Sequence, residues 1–161
     1  MKLKIKDQLP DTEIFQLVDG EPQKSKLRET IGNGKIVLFG LPGAFTSTCS
    51  KLHLPGFVAN ADKIKAKGIE HIFCLSVNDP YVMNGWGEIN NTGDKIKMLS
   101  DPYLLFTKAI GAEVDRNSKG MGIRSNRYAM IIENLKLSNI QVEKETKQCD
   151  LSSAETILEM L

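Results

Sequence analysis

Apolar residues are grouped along this chain in short runs that alternate with stretches of helical periodicity. Residues 35–39 and 69–77 are almost continuously apolar, as expected for strands that are covered on both faces of a sheet. Residues 12–18 alternate loosely and end at an Asp-Gly pair, which predicts a strand leading into a turn and a hairpin. Residues 95–99 add a further short strand.

Helical signals lie between these strands. A helix is predicted to begin near Thr48 and to end at Gly68, with a kink or break at Pro55. A second helix opens at Asp79-Pro80, where an N-cap residue precedes a proline at the first helical position. The predicted apolar face of this second helix consists of Val82, Trp86 and Ile89.

The next segment repeats the same opening. Asp101-Pro102 predicts a third helix, which ends at Gly111. Residues 113–125 are polar and contain glycine, and we expect them to form a long loop.

The end of the chain carries hairpin and helix signals. Two apolar runs, residues 127–133 and 136–142, flank a polar turn at Asn134 and predict an antiparallel hairpin. Residues 152–155, Ser-Ser-Ala-Glu, form a capping box that opens a final helix. The side chains expected to dock this helix on the sheet are Ile157, Leu158 and Leu161.

The alternation of strands and helices predicts an α/β fold with a parallel or mixed sheet and helices on its faces. No internal repeat, low-complexity tract or linker interrupts the pattern. A chain of 161 residues has the usual length of one domain. We therefore expect a single domain over residues 1–161.

The charge and the segment composition of the chain argue against several classes of function. The formal net charge is +1, which gives no electrostatic argument for binding nucleic acid or an acidic membrane. The N-terminus is charged and lacks the features of a secretory signal, and no segment is long enough to span a bilayer. The cytoplasm is the expected compartment.

Cysteine and histidine are few. Cys49, Cys74 and Cys149 do not form a close metal-ligand cluster, and neither do His53 and His71. We expect no metal. In a reducing compartment such cysteines are either catalytic or inert rather than joined in structural disulfides.

Cys49 has the most informative surroundings. It follows a Gly-Leu-Pro-Gly turn and three candidate N-cap residues, Thr46, Ser47 and Thr48, which places it at or near a first helical turn. The free N–H groups and the positive dipole end at such a place favour an anion. A reactive thiolate is therefore predicted, although a small buried hydrophobe is the usual role of a lone cysteine.

The segment Pro-Gly-Ala-Phe-Thr-x-Thr-Cys-Ser-x-x-His-x-Pro-Gly-Phe, residues 42–57, resembles the active-site segment of the peroxiredoxins, in their atypical type II or Prx5-like branch. A second signature is Arg127-Tyr128-Ala129, and the likeness extends over residues 35–161. The resemblance implies a thioredoxin-like fold with a central mixed sheet, thiol-dependent peroxidase activity and no metal or organic cofactor. It also implies a homodimer.

The resemblance assigns roles to particular residues. Cys49 attacks hydrogen peroxide or an alkyl hydroperoxide and becomes a sulfenic acid. Thr46 donates or accepts a hydrogen bond at the sulfur and the peroxide, and Pro42 shields the sulfenic acid. Arg127 stabilises the thiolate and the developing charge, because a guanidinium donates parallel hydrogen bonds to paired oxygens.

Two further residues are candidates for substrate binding. His53 lies four residues after Cys49 and thus on the same helical face, where it lines the pocket or serves as a hydrogen-bonded core or surface histidine. Arg124 is the arginine most easily confused with Arg127. Ser47 occupies a position where members of the family more often carry proline.

Three thiols are candidates for reducing the Cys49 sulfenic acid, and the sequence does not choose among them. Cys74 lies in the context Cys-x-Ser-Val-Asn-Asp shared with the plant-like part of the branch, but on a predicted central strand. Cys149 lies near the place of the resolving cysteine in animal Prx5-like proteins, about two residues early. The third possibility is direct reduction by glutathione, glutaredoxin or thioredoxin.

Two other functions compete with the peroxidase. A peroxide-sensing signalling protein would use the same cysteine but turn over poorly with any reductant. A non-catalytic thioredoxin-like interaction module would have no need of Pro42, Thr46, Cys49 and Arg127 together.

Overall fold

A computed structural model describes residues 1–161 and contains nine strands. They are β1 (Glu13–Val18), β2 (Glu21–Lys26), β3 (Lys35–Gly40), β4 (His71–Ser76), β5 (Lys97–Ser100), β6 (Glu113–Asp115), β7 (Ile123–Ser125), β8 (Tyr128–Glu133) and β9 (Lys136–Val142). Seven of them form the main sheet in the order β2-β1-β5-β4-β3-β8-β9. β3, β4 and β5 are parallel neighbours, whereas β8 runs antiparallel to β3. The chain thus has the predicted thioredoxin-like α/β fold with a mixed sheet.

Five α-helices pack around this sheet. They are α1 (Leu27–Ile31), α2 (Leu54–Ala66), α3 (Pro80–Ile89), α4 (Leu105–Ala109) and α5 (Ala154–Met160). A π-helical turn (Cys49–His53) precedes α2, and a 3₁₀ turn (Asn117–Lys119) precedes β7. No helix is both long and apolar enough to cross a membrane.

The strands alternate their side chains between two hydrophobic cores, one on each face of the sheet. On β3, Val37 and Phe39 belong to one core, and Ile36 and Leu38 belong to the other. All four side chains are buried, which confirms β3 as a central strand. Cys49 belongs to the same core as Phe39.

Both predicted hairpins are present. β1 pairs with β2 across Asp19 and Gly20, whose φ angles are 51° and 80°. β8 pairs with β9 across Asn134 and Leu135, at φ 49° and 65°. Two successive positive φ angles match the right-handed twist of the flanking strands. Leucine rarely adopts this conformation, so the pattern of the sequence did not specify the second turn residue.

The helix predicted near Thr48 differs from the expectation in two ways. Pro55 is the second residue of α2 and does not break it, because the irregularity lies one turn earlier as the π-helical turn. None of the three predicted N-cap hydroxyls accepts a hydrogen bond from a helical N–H. The Thr48 hydroxyl instead donates to the Lys147 carbonyl over 3.2 Å.

Three other details correct the sequence predictions. Ile89 is 69% exposed, so the buried face of α3 is formed by Met83 and Trp86. α4 begins at Leu105 rather than at Pro102, and the buried Asp101 carboxylate reaches it by accepting from the N–H of Thr107 at 2.8 Å. The predicted loop at residues 113–125 contains the antiparallel pair β6–β7.

The final helix begins one residue later than the capping box predicts. Ser153, not Ser152, is the N-cap of α5, and its hydroxyl accepts a hydrogen bond from the Thr156 N–H at 3.2 Å. Ser152 is held elsewhere by the buried Glu143. Ile157 is buried, as predicted, and Leu158 and Leu161 pack against the same core.

Candidate active site

Cys49 lies at the start of the π-helical turn, beyond the carboxyl end of β3, and is fully buried. The loop that follows β3, residues 41–46, is tied to β4 because the Leu41 N–H donates to the Leu75 carbonyl at 3.2 Å. The Asn78 side chain accepts from the Ala44 N–H at 2.8 Å and from the Ser76 hydroxyl at 2.7 Å. Asn78 therefore fixes the shape of this loop, a role that the sequence did not reveal.

Arg127 reaches Cys49 because β8 is the antiparallel neighbour of β3. Gly40 pairs with Tyr128, which places Arg127 beside the start of the loop. Its Nη2 donates to Cys49 Sγ over 3.3 Å, and its side chain is 1% exposed. The structure thus brings together the two residues that the two sequence signatures predicted.

Backbone carbonyls and a histidine hold the guanidinium. The Thr146 carbonyl accepts from Nε at 3.2 Å and from Nη2 at 2.8 Å. Nη1 lies 3.0 Å from His53 Nδ1, and His53 Nε2 lies 2.9 Å from the Ser152 carbonyl. Since a guanidinium only donates and a carbonyl only accepts, His53 must accept through Nδ1 and donate through Nε2.

The protonation state of His53 follows from its surroundings. Burial, together with the positive charge of Arg127, lowers the pKa of His53 to about 3. Its ring is enclosed by Phe39 and Phe57, with centroids 5.0 and 5.6 Å away. His53 is therefore neutral at physiological pH, and it contacts Arg127 rather than lining the cavity described below.

The charge of Arg127 has no carboxylate partner. The structure contains two ion pairs, Lys24–Glu13 and Lys147–Glu145, and both lie on the surface. Every acceptor within hydrogen-bond distance of the guanidinium is neutral except the Cys49 sulfur when it is ionised. A buried cation without an anion is costly. The charge of Arg127 is therefore available to stabilise an anion placed beside it.

A cavity of about 110 Å³ is lined by Arg127 but not by the fully buried Cys49 behind it in the chain's core, and we refer to it as the catalytic cavity. Pro42, Thr46, Arg127 and Thr146 line it. The Thr46 hydroxyl donates to the Gly43 carbonyl at 2.8 Å and makes no hydrogen bond to Cys49. Its oxygen is left as an acceptor for a proton carried by a substrate.

Arg124 occupies a different position from Arg127. Its Nε donates to the Met121 carbonyl at 2.7 Å, and its Nη1 donates to the Pro42 carbonyl at 3.3 Å. Arg124 therefore supports the loop behind Pro42 and does not line the catalytic cavity.

Glu143 anchors the segment that supplies the carbonyls. Its Oε1 accepts from the Asp150 N–H at 2.8 Å, the Ser152 N–H at 2.8 Å and the Ser152 hydroxyl at 2.9 Å. Residues 144–153, which we refer to as the anchoring loop, carry Thr146, Cys149 and Ser152. Sequence motifs did not identify this loop, because its contribution to the site comes from main-chain atoms.

Comparison with known proteins identifies the family. A family model described as Redoxin matches residues 4–158. Peroxiredoxin-2C of rice is 43% identical over 157 residues, which cover 96% of each of the two chains. The chain belongs to the type II branch of the peroxiredoxins. As a peroxiredoxin it is an enzyme, a thiol peroxidase.

Solved peroxiredoxin structures superpose closely on this one. Reduced Prx3 of Vibrio vulnificus in complex with hydrogen peroxide is 43% identical, with a TM-score of 0.92 and 98% of each chain covered. Peroxiredoxin 5 of Alvinella pompejana is 30% identical, with a TM-score of 0.85, 98% of this chain covered and 96% of its own.

The three cysteines of this peroxiredoxin are all free. Cys74 is buried on β4, and burial together with Cys49 raises the pKa of its thiol. Cys149 is partly exposed in the anchoring loop, where burial raises the pKa of its thiol to about 11 although Arg127 acts in the opposite direction. No group of three or more His, Cys, Asp or Glu side chains is arranged to hold a metal ion.

Proposed function

We propose that Cys49 is the peroxidatic nucleophile and that it reduces hydrogen peroxide and alkyl hydroperoxides. The observation that carries this proposal is the Arg127 guanidinium, buried without a carboxylate and 3.3 Å from the sulfur. Such a cation stabilises the thiolate before the reaction and the negative charge on oxygen during it.

The proposed step transfers one oxygen. The Cys49 thiolate attacks the terminal oxygen of the peroxide, an S–O bond forms, and the O–O bond breaks. The departing oxygen takes a proton and leaves as water or an alcohol, while Cys49 becomes a sulfenic acid. Arg127 donates hydrogen bonds to the peroxide oxygens, the Thr46 hydroxyl oxygen accepts a hydrogen bond from the peroxide O–H, and Pro42 keeps water from the sulfur.

We propose three possible routes by which the Cys49 sulfenic acid returns to the thiol. Cys74 belongs to the same core as Cys49, but it would require movement of a central strand. Cys149 belongs to an irregular loop, whose local unfolding costs less. An external thiol, such as glutathione, glutaredoxin or thioredoxin, is the third route.

Peptide mass mapping tests the nucleophile and separates these routes. The reduced protein receives one equivalent of hydrogen peroxide with a sulfenic-acid trap present, beside a Cys49→Ser variant. We expect oxidation to begin at Cys49. A disulfide to Cys74 or Cys149 names an internal resolver, and a persistent trapped sulfenic acid indicates an external thiol. Oxidation of the other two cysteines while Cys49 stays reduced would refute the assignment.

A peroxide sensor is the remaining alternative use of the same cysteine. Steady-state peroxide consumption with glutathione and glutaredoxin, or with thioredoxin and its reductase, distinguishes the two. Sustained turnover with either system supports the peroxidase. Fast oxidation of Cys49 without turnover would favour the sensor.

We also expect this protein to work in a reducing compartment such as the cytoplasm, because its cysteines must return to thiols.

The homodimer is supported by exposed aromatic side chains near the site. Phe45, Tyr81 and Tyr103 follow the carboxyl ends of β3, β4 and β5 and are 57–65% exposed. Parallel strands bring these ends to one edge of the sheet. Sedimentation of wild-type protein and a Tyr103→Glu variant tests the proposal, which predicts a dimer that the variant weakens. A wild-type monomer at micromolar concentration would contradict it.

A further inference from the structure

Arg116 is a second arginine at the catalytic cavity, and no motif drew attention to it. It lies directly after β6 and lines the catalytic cavity together with Arg127. Its side chain makes no hydrogen bond and no ion pair within the chain, and its buried Nε has no partner. A half-buried guanidinium without an acceptor is an incomplete arrangement, because each unpaired buried donor carries a desolvation cost.

Arg116 also lines a second cavity of about 440 Å³, which we refer to as the basic cavity. The two cavities are adjacent, because four residues line both: Arg116, Lys119, Thr146 and Lys147. The basic cavity falls within the range of volumes that hold small ligands, whereas the catalytic cavity has room only for a small reacting group.

The charged side chains around the basic cavity are mainly cations. Arg116, Lys119, Lys144 and Lys147 face two carboxylates, Asp115 and Glu145. Asp115 accepts from the Asn117 N–H at 2.7 Å, and Glu145 pairs with Lys147 at 3.1 Å. Both carboxylates therefore have partners of their own, and neither neutralises Arg116.

We propose that Arg116, assisted by Lys119, binds a carboxylate of the small molecule that reacts at Cys49. A guanidinium binds a carboxylate through two parallel hydrogen bonds, which fixes the orientation of the bound molecule as well as its position. The bound molecule extends from the basic cavity into the catalytic cavity. This inference rests on the proposed function of Cys49 and names the chemical class of its partner.

Two reaction partners share this chemistry. One is a hydroperoxide that carries a carboxylate, and the other is a thiol reductant that carries one, as glutathione does. In the thiol reaction the thiolate sulfur bonds to the Cys49 sulfenic sulfur, the S–O bond breaks, and the oxygen takes a proton and leaves as water. A second thiol molecule then releases the Cys49 thiolate and forms the disulfide of the two small thiols.

Stopped-flow fluorescence can follow each half-reaction separately. The chain has one tryptophan, Trp86, whose Nε1 donates to the Ser50 hydroxyl at 3.0 Å, next to Cys49. For oxidation, a fatty acid hydroperoxide is compared with the neutral tert-butyl hydroperoxide. For reduction of the sulfenic acid, glutathione is compared with the neutral dithiothreitol. The variants are Arg116→Gln and Arg116→Lys. Lys67→Gln is the charge-matched control, because Lys67 is exposed and lines neither cavity.

The informative quantity is the ratio of rate constants, carboxylate-bearing over neutral, within each half-reaction. We expect Arg116→Gln to lower this ratio about tenfold in one or both half-reactions. Arg116→Lys should have a ratio between those of Arg116→Gln and wild type, and Lys67→Gln should have the wild-type ratio. A loss in the hydroperoxide pair alone identifies the substrate as the ligand, and a loss in the thiol pair alone identifies the reductant.

Unchanged ratios in both half-reactions, or an equal fall for Lys67→Gln, would overturn the inference. Failure of the proposed function is recognised separately, because wild-type Cys49 would then not react with hydrogen peroxide in the first place.

Discussion

Arg127 carries a buried positive charge whose protein partners are all neutral. The Thr146 carbonyl and the unprotonated His53 nitrogen hold the guanidinium in place without neutralising it. A carboxylate in either position would compete with the Cys49 thiolate for the same cation. At the scale of single residues, the site therefore leaves the positive charge of Arg127 available to the Cys49 sulfur.

The neutral state of His53 has a consequence for stability at low pH. Its pKa is about 3 in the folded protein and about 6.5 in an unfolded chain. Between these values the unfolded state binds more protons. The contribution of neutral His53 to the free energy of unfolding is therefore fully present above pH 6.5 and is lost as the pH decreases towards 3. The loss is at most about 1.4 kcal/mol per pH unit.

Urea unfolding at pH 7 and pH 5 under reducing conditions measures this effect in wild-type protein and in a His53→Gln variant. Glutamine does not titrate, and His71 is present in both proteins and cancels in the comparison. We expect the variant to lose less stability between the two pH values. Equal losses would show that His53 does not carry a depressed pKa.

The role of the Thr46 hydroxyl, which makes no hydrogen bond to Cys49, can be tested by substitution. A Thr46→Val variant keeps the shape of the side chain and loses the acceptor, whereas Thr46→Ser keeps the acceptor. We expect the rate constant for hydrogen peroxide to fall about 10- to 100-fold in the valine variant and to stay near wild type in the serine variant. Equal rates in both variants would remove Thr46 from the reaction.

The sequence predicted the side chains that meet at the site better than it predicted their supports. Cys49 and Arg127 lie within two motifs, and the antiparallel pairing of β3 with β8 brings them together. The position of His53 was clear, but not its contact with Arg127, because that contact depends on the depth of burial. The carbonyls of Thr146 and Ser152 leave no trace in the sequence, since every residue has one.

Among the elements, the anchoring loop determines where the Arg127 side chain is held. It has no regular structure, yet it supplies the acceptors for Arg127 and for His53. The Glu143 carboxylate fixes one half of the loop by accepting three hydrogen bonds from Asp150 and Ser152. Hydrogen bonds to a charged group contribute about 1.5–3 kcal/mol each.

We expect a Glu143→Ala variant to release the anchoring loop. Hydrogen exchange in residues 144–153 should become faster, and the rate constant for hydrogen peroxide should fall about tenfold because Arg127 loses its fixed position. Glu143→Gln keeps one acceptor oxygen and should recover most of the rate. The exposed Glu133→Ala serves as the control. Faster exchange with an unchanged rate would show that the loop does not position Arg127.

The boundaries of several elements could not be predicted, for reasons that are local. Asp101-Pro102 carries a helix-opening signal, but the Asp101 side chain reaches over to Thr107 and the helix starts later. Ser152 carries a capping signal, but Glu143 binds its N–H and hydroxyl. In both cases a tertiary contact uses the polar group that the local pattern assigned to the helix.

For the whole molecule, one sheet separates two hydrophobic cores, and β3, β4 and β8 contribute side chains to both. Because the cores share these strands, we expect them to unfold together. Reduced protein should show one transition by circular dichroism and by Trp86 fluorescence, with coincident midpoints. Separate midpoints would contradict the prediction of a single domain over residues 1–161.

The order of apolar runs was enough to predict an α/β fold, since helices and buried strands differ in period. It was not enough to choose the thioredoxin-like arrangement among mixed α/β folds. That choice depended on the likeness of residues 42–57 to a known active site, and the comparisons confirm it.

The central claim is that Cys49 reacts rapidly with peroxide because Arg127 stands beside it. The most direct test is the second-order rate constant for hydrogen peroxide, measured by Trp86 fluorescence in wild type, Arg127→Gln and the control Lys67→Gln, all checked for folding. We expect Arg127→Gln to be at least about 10²-fold slower than wild type and Lys67→Gln to be unchanged. A wild-type rate no faster than that of a free thiol, or an Arg127→Gln rate equal to wild type, would contradict the claim.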